Sequence, residues 1–262
     1  MDLGLADKVA LVVGGSRGIG LAAATLFAGE GARVAIAARE QKILGEAAAR
    51  IAKQGLAPLV LACDGADSGS VEQTMQTVAD RLGGIDILVN TIGNAAGGNF
   101  LDLTDEEWDE SLAIKLHGQI RCCRSVIPFM RARGGGAIVN VIGHRGKQPD
   151  GRALPASVAN AGLMNFTIGL AQEEGQHGIR VVGVSPAPVG GTRRLQNVFE
   201  TEARLLGVSV EEAGRRWVSQ VAQGRAASPE EIASVIVFVA SPCASFITGT
   251  TVAVDGGATN CL

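Results

Sequence analysis

The sequence contains no tyrosine, and aromatic residues make up 3% of it. A phenolic acid or base is therefore excluded from any chemistry the chain performs. Charge is also scarce: charged residues are 19% of the 262 positions and the net charge is −3. With no basic run and no interleaving of basic and aromatic side chains, nucleic acid is not an expected partner. The five cysteines, Cys63, Cys122, Cys123, Cys243 and Cys261, lack metal-ligand spacing. Their odd number predicts free thiols in a reducing compartment and no metal site. No apolar run approaches the roughly 18 residues of a membrane span. Residues 1–8 carry acidic positions and no apolar signal core, which predicts a cytoplasmic protein.

Apolar residues are 47% of the chain and glycine occurs 36 times. That composition suits a folded domain rather than disorder. Short β-branched runs alternate with longer helical stretches. Strands are expected at Val9–Val13, Arg33–Ala38, Leu59–Ala62, Ile87–Asn90, 137–142, 179–184 and 251–254. Helices are expected after the first glycine-rich turn to Phe27, at 41–54, 71–82, 104–130, 157–174 and 229–240. Thr104-Asp105-Glu106-Glu107 and Ser228-Pro229-Glu230-Glu231 spell capping boxes at two of the helix starts. The helix from Thr104 is expected to bend or end near Pro128. The alternation predicts one α/β domain over 1–262, a Rossmann-type, doubly wound parallel sheet of about seven strands with helices on both faces. The polar, Arg-rich segment 187–225 interrupts the rhythm between the sixth strand and the last helix, and is a candidate substrate lid.

The first strand–turn–helix junction reads Val13-Gly14-Gly15-Ser16-Arg17-Gly18-Ile19-Gly20. Glycine there lets backbone approach a pyrophosphate, and the helix N-terminus offers free N–H groups and a positive dipole end. Spacing alone is weak evidence; the strand–turn–helix context makes it a dinucleotide site, with Gly14, Ser16, Arg17, Gly18, Ile19 and Gly20 as contacts. The second strand ends Ala37-Ala38-Arg39 without the acid that would bind a ribose 2′-hydroxyl. Arg39 and Arg17 could instead clamp a 2′-phosphate, so NADP(H) is favoured over NAD(H). The alternative is that Arg39 is a solvated strand-end charge.

These motifs resemble the short-chain dehydrogenase/reductase family over nearly the whole chain. Gly14–Gly20 is similar to its T-G-x-x-x-G-x-G turn, with Val13 for Thr. Asn90 and Gly93 are kept from N-N-A-G, and Pro186 from P-G. Gly224-Arg225, Pro229 to Ala233, Thr248-Gly249 and Asp255-Gly256-Gly257 match the C-terminal signature. The resemblance implies strand order 3-2-1-4-5-6-7 and a homo-oligomer, a tetramer or a dimer, acting on a small molecule. It also adds Asp64, Asn90, Gly93, Asn160, Pro186, Val189 and Thr192 to the cofactor contacts.

At the active site the resemblance implies a departure. The family uses Asn, Ser, Tyr and Lys; alignment puts Lys115, Gly143, Ala156 and Asn160 at those positions. Two substitutes offer themselves. Lys115 could donate a proton if partial desolvation lowers its pKa, although an ion pair with Asp109 or Glu110 is an alternative. His144 follows the fifth strand with a pKa suited to acid–base work, although it could be an ordinary loop residue. His117 and His177 read as surface residues. Three functions stay open: an NADP-dependent oxidoreductase with a non-standard proton donor, a lyase or isomerase on the same scaffold, and a catalytically silent binding protein.

Overall fold

The computed structural model describes residues 1–260. The expectation of a free thiol at Cys261 lies outside them. The chain alternates β1 (Val9–Val13), α1 (Gly18–Gly29), β2 (Arg33–Ala38), α2 (Gln41–Ile51), β3 (Leu59–Ala62), α3 (Ser68–Leu82) and β4 (Ile87–Asn90). There follow α4 (Asp105–Leu112), α5 (Gly118–Ala132), β5 (Gly136–Val141), α6 (Leu154–Glu174), β6 (Ile179–Pro186), α7 (Arg193–Leu206), α8 (Val210–Val218), α9 (Pro229–Ala240) and β7 (Thr250–Val254).

The strands form one parallel sheet in the order β3-β2-β1-β4-β5-β6-β7, the order the resemblance implied. β1 is buried along its whole length because helices cover both of its faces. Its residues alternate between two cores. Ala10 and Val12 pack with α1, α2 and α9, whereas Val9, Leu11 and Val13 pack with α3 and α5. Both expected capping boxes are present, Thr104 with Glu107 and Ser228 with Glu231.

Four local expectations need correction. The stretch from Thr104 is not one helix bent at Pro128. α4 gives way to a π turn, Ala113–His117, and α5 then runs through Pro128 to Ala132. Pro128 sits on the exposed side of α5, where water can bond the carbonyl that loses its N–H partner. α6 starts at Leu154 rather than 157, with Pro155 supplying the fixed φ of a first turn. α3 starts earlier than 71 because Asp67 caps it, accepting from the N–H groups of Gly69 and Ser70. Segment 187–225, where no helix was expected, holds α7, capped by Thr192, and α8, capped by Ser209. No described helix is long and apolar enough to cross a membrane.

Candidate active site

The strand order reverses between β1 and β4, and open α/β sheets bind ligands beyond the carboxyl ends of their strands at such a point. A cavity of about 630 Å³ lies there. Its walls include the turn after β1, Thr91 to Gly93 after β4, Gly143 to Arg145 after β5, Pro186 to Val189 after β6, and the start of α7.

The β1–α1 turn is tightly built. The Gly14 N–H donates to the Ala37 carbonyl at 2.8 Å. Gly14 has φ +91°, and a Cβ there would collide with the Thr91 Oγ1. A Cβ on Gly20 would collide with the Gly14 carbonyl oxygen. α1 then begins without a side-chain cap and without an acid in its first turn. Its free N–H groups and positive dipole end suit an anion.

Of the expected cofactor contacts, Gly14, Ser16, Arg17, Gly18, Ile19, Gly20, Gly93, Asn160, Pro186, Val189 and Thr192 line the cavity. The Thr192 hydroxyl is shared with the fold, donating to the Val189 carbonyl at 2.7 Å and accepting from the Leu195 N–H. Three expected contacts lie off the wall. Arg39 is exposed just past β2. Asp64 is exposed and its carboxylate accepts from the Ala66 N–H in its own turn. Asn90 is fully buried, and its amide donates to Asn140 Oδ1 at 3.0 Å and to the Cys123 Sγ. Its side chain points into the sheet's α5–α6 side, away from the cavity.

Lys115, Gly143 and Asn160 meet at the cavity, whereas Ala156 is buried beside it and does not line it. The Gly143 N–H donates to Asn160 Oδ1 at 3.0 Å. Lys115 lies in the π turn between α4 and α5, an irregularity common at functional sites. Its side chain is 5% exposed and rests on Gly93, whose added Cβ would stand 3.3 Å from the lysine Nζ. The ion pair with Asp109 or Glu110 is not formed. Burial, and then the positive charge of Arg194, push the Lys115 pKa down to about 7.

His144 is half-buried in the turn after β5. Burial and the neighbouring Arg145 charge hold its pKa below the usual value, against a hydrogen bond to the Pro186 carbonyl that favours the charged form. His117 and His177 are exposed, as expected.

Two further residues escaped the sequence reading. Trp217 of α8 lies edge-on to the His144 ring, with centroids 6.1 Å apart, and beneath the Arg145 guanidinium. Arg194 lines the cavity and is exposed, and desolvation followed by the Arg145 charge holds its pKa below the usual value. A signal for it was present. Arg193 and Arg194 open α7 with no acid in its first turn, the wrong charge for a helix N-terminus.

The chain matches the family model described as enoyl-(acyl carrier protein) reductase over residues 13–259. It is 34% identical to the short-chain reductase protein NovJ of Streptomyces niveus over 251 residues, 96% of this chain and 94% of that protein. L-sorbose reductase from Gluconobacter frateurii, solved with NADPH and L-sorbose, has a TM-score of 0.92 and 34% identity, covering 100% of both chains. NAD+-bound xylitol dehydrogenase has a TM-score of 0.93 at 25% identity, covering 97% of this chain and 99% of that one.

Proposed function

The chain belongs to the short-chain dehydrogenase/reductase family, and on that footing we propose that it is an NADP(H)-dependent oxidoreductase of a carbonyl–alcohol pair in which Lys115 is the proton partner. The observation that carries this reading is Lys115 itself: a buried amine lining the cavity, paired with no carboxylate among the described residues.

The Gly14–Gly20 turn fits a dinucleotide. Gly14, Gly15 and Gly20 leave no room for a Cβ, and the uncapped start of α1 faces the cavity. Gly14, Ser16, Arg17, Gly18, Ile19 and Gly20 would hold the pyrophosphate, and Arg17 with Arg39 the 2′-phosphate. Gly93, Pro186, Val189 and Thr192 would border the nicotinamide end. With its Oδ1 on the Gly143 N–H, Asn160 has its Nδ2 left to donate to a ribose hydroxyl. The solved relatives bound to NADPH and to NAD+ support a nicotinamide cofactor, and the two arginines favour NADP(H).

When bound, the nicotinamide exchanges a hydride with the carbonyl carbon. The chain must then supply a proton to the oxygen as the C=O π pair moves onto it. Positions that hold Asn, Ser, Tyr and Lys in the family are Lys115, Gly143, Ala156 and Asn160 here. Gly143 and Ala156 have no side-chain donor. His144, whose pKa burial and the Arg145 charge hold below the usual value, has its ring hydrogen-bonded to the Pro186 carbonyl. That leaves Lys115 as the donor near neutral pH and His144 as a positioning residue or acceptor. Helices α7 and α8 would serve as the lid.

The free, buried Cys122 and Cys123 suit a reducing, cytoplasmic setting. Family precedent favours a homotetramer. Val158 and Ile168 expose apolar surface on α6, and Phe246, 101% exposed before β7, adds more. Light scattering of the purified chain at micromolar concentration tests this, and a monomer would contradict it.

Nicotinamide absorbance in the presence of a panel of ketones, aldehydes and alcohols tests the activity. Turnover that falls at least about tenfold in Lys115→Met is expected from loss of a general acid. Turnover unaffected by that change would remove Lys115 from the chemistry. Product without a change in absorbance would mark a non-redox reaction, and binding without product a silent scaffold.

A further inference from the structure

The charge around the cavity is one-sided. Its lining includes Arg17, Arg50, Lys115, Arg145, Arg193 and Arg194, against one carboxylate, Glu46, which lies on α2. At the phosphate end this is expected, because Arg17 belongs to the glycine-rich turn. At the other end it needs an explanation. Lys115 and Arg194 come from different elements, the π turn and α7, yet both line the cavity, and the Arg194 charge acts on Lys115. Arg194 also acts on His144.

The neighbouring cation is already satisfied. Arg145 pairs with Asp150 at 2.5 Å and lies against Trp217. The Asp255 carboxylate acts on His144 rather than on Lys115. Lys115 and Arg194 have no ion pair or hydrogen bond among the described residues. Arg194 moreover stands in the first turn of α7, where the helix dipole already carries positive charge. The buried Lys115 thus has an exposed, unpaired cation beside it at a helix N-terminus, and no anion among the described residues offsets the two charges. A bound anion would offset them, and a guanidinium fork matches a carboxylate in geometry.

We propose that the substrate is an oxo acid, whose carboxylate is held by Arg194 while its carbonyl oxygen lies at Lys115. This deepens the oxidoreductase reading and rests on it. It also separates two anion sites in one cavity, with Arg17 at the cofactor phosphates and Arg194 at the substrate.

Calorimetric titration of the full chain, with and without saturating NADP+, tests the assignment. The probes are pyruvate, acetoacetate and levulinate, each against its methyl ester. At least one acid is expected to bind saturably and about 10- to 150-fold more tightly than its ester, the factor given by a charge-assisted hydrogen bond. The chain length of the best acid reports how far the carbonyl stands from the carboxylate. Arg194→Met should remove the acid's advantage and leave NADP(H) affinity as it was. Arg194→Lys, which keeps the charge without the fork, should retain part of the advantage and guards against a folding defect. Equal binding of acid and ester, or no binding of any acid, overturns the proposal. So does an Arg194→Met variant whose NADP(H) affinity falls in step with that for acid, since Arg194 would then serve the cofactor. Failure of the oxidoreductase reading looks different: the acid binds in preference to its ester, but NADPH absorbance does not change.

Discussion

The guanidinium carbon of Arg145 lies 4.5 Å from the ring centre of Trp217. This contact joins the turn after β5 to α8, and the Arg152–Glu202 ion pair at 2.7 Å joins the approach to α6 with α7. The two helices are thus docked over the cavity at a few points rather than sealed into the core. A cation–π contact is worth about 0.5–2 kcal/mol. Trp217→Ala should loosen the docking and weaken ligand binding by roughly 2- to 30-fold, with Trp217→Phe in between. Titration of NADPH and substrate against the three proteins measures it. Unchanged affinity would separate Trp217 from the lid.

Lys115 yields a stability prediction with a definite sign. Its pKa is about 7 in the folded chain against an ordinary 10.5. Between those values the unfolded chain binds the proton and the folded chain has lost it, so this group makes stability rise with pH. Below about pH 7 the folded chain carries the full cost of a buried ammonium. Lys115→Met should therefore stabilise the protein at pH 6, by at most roughly 5 kcal/mol, and progressively less towards pH 10. Urea unfolding of both proteins at pH 6 and pH 9.5 checks this; a difference independent of pH would contradict it. The same titration predicts that carbonyl reduction slows above about pH 7 while alcohol oxidation quickens.

The sheet was legible in the sequence because each strand buried on both faces must be a short apolar run, and the capping boxes marked α4 and α9. What escaped was direction and partnership. The resemblance made Asn90 a cofactor contact through the N-N-A-G motif. Strand parity sets it on the same side as Leu88, where α5 and α6 cover the sheet. Pro128 looked like a breaker, yet its exposed position on α5 makes the missing N–H cheap. The polar composition of 187–225 hid two amphipathic helices, whose apolar stripes are short and whose N-caps, Thr192 and Ser209, are single residues. Lys115, named from the alignment, and His144, named from its place after the fifth strand, both line the cavity. Arg194 was missed because α7 was not foreseen in 187–225, so the place of the two arginines at a helix N-terminus went unread.

Arg180 offers a test remote from the cavity. Its guanidinium donates to the carbonyls of Val239, Ala240, Ser241 and Ile247, at 2.7–3.1 Å. It closes the C-terminal end of α9, where the last carbonyls lack helical partners. Arg180→Met leaves these half-buried oxygens unpaired, at about 1–3 kcal/mol for each one that water cannot reach. A loss of roughly 2–4 kcal/mol is expected, lowering Tm by roughly 4–8 °C for a domain of this size. NADPH affinity at 20 °C should stay unchanged, because none of these groups lines the cavity. A fall in affinity at unaltered Tm would contradict this account.

The cofactor preference can be decided by two arginines. Arg17 and Arg39 are both exposed, and neither has an ion pair among the described residues. Each is free to turn onto a 2′-phosphate, and a hydrogen bond to a charged group is worth about 1.5–3 kcal/mol. NADPH should therefore bind roughly 10- to 150-fold more tightly than NADH. Arg39→Asp should abolish most of that ratio by repelling the phosphate, and Arg17→Ala should reduce it. On the proposed placement of Asn160 at the nicotinamide ribose, where an amide replaces the ammonium that the resemblance implies, absolute affinity is expected to be modest, on the order of 1–100 μM. Calorimetry with both reduced cofactors gives the constants. At about millimolar NADPH a 10 μM binder adds roughly 2.7 kcal/mol to folding stability, so a thermal shift must accompany the heat. Equal affinities for the two cofactors would return Arg17 and Arg39 to the solvent, and neither heat nor shift with either would leave the glycine turn without its dinucleotide.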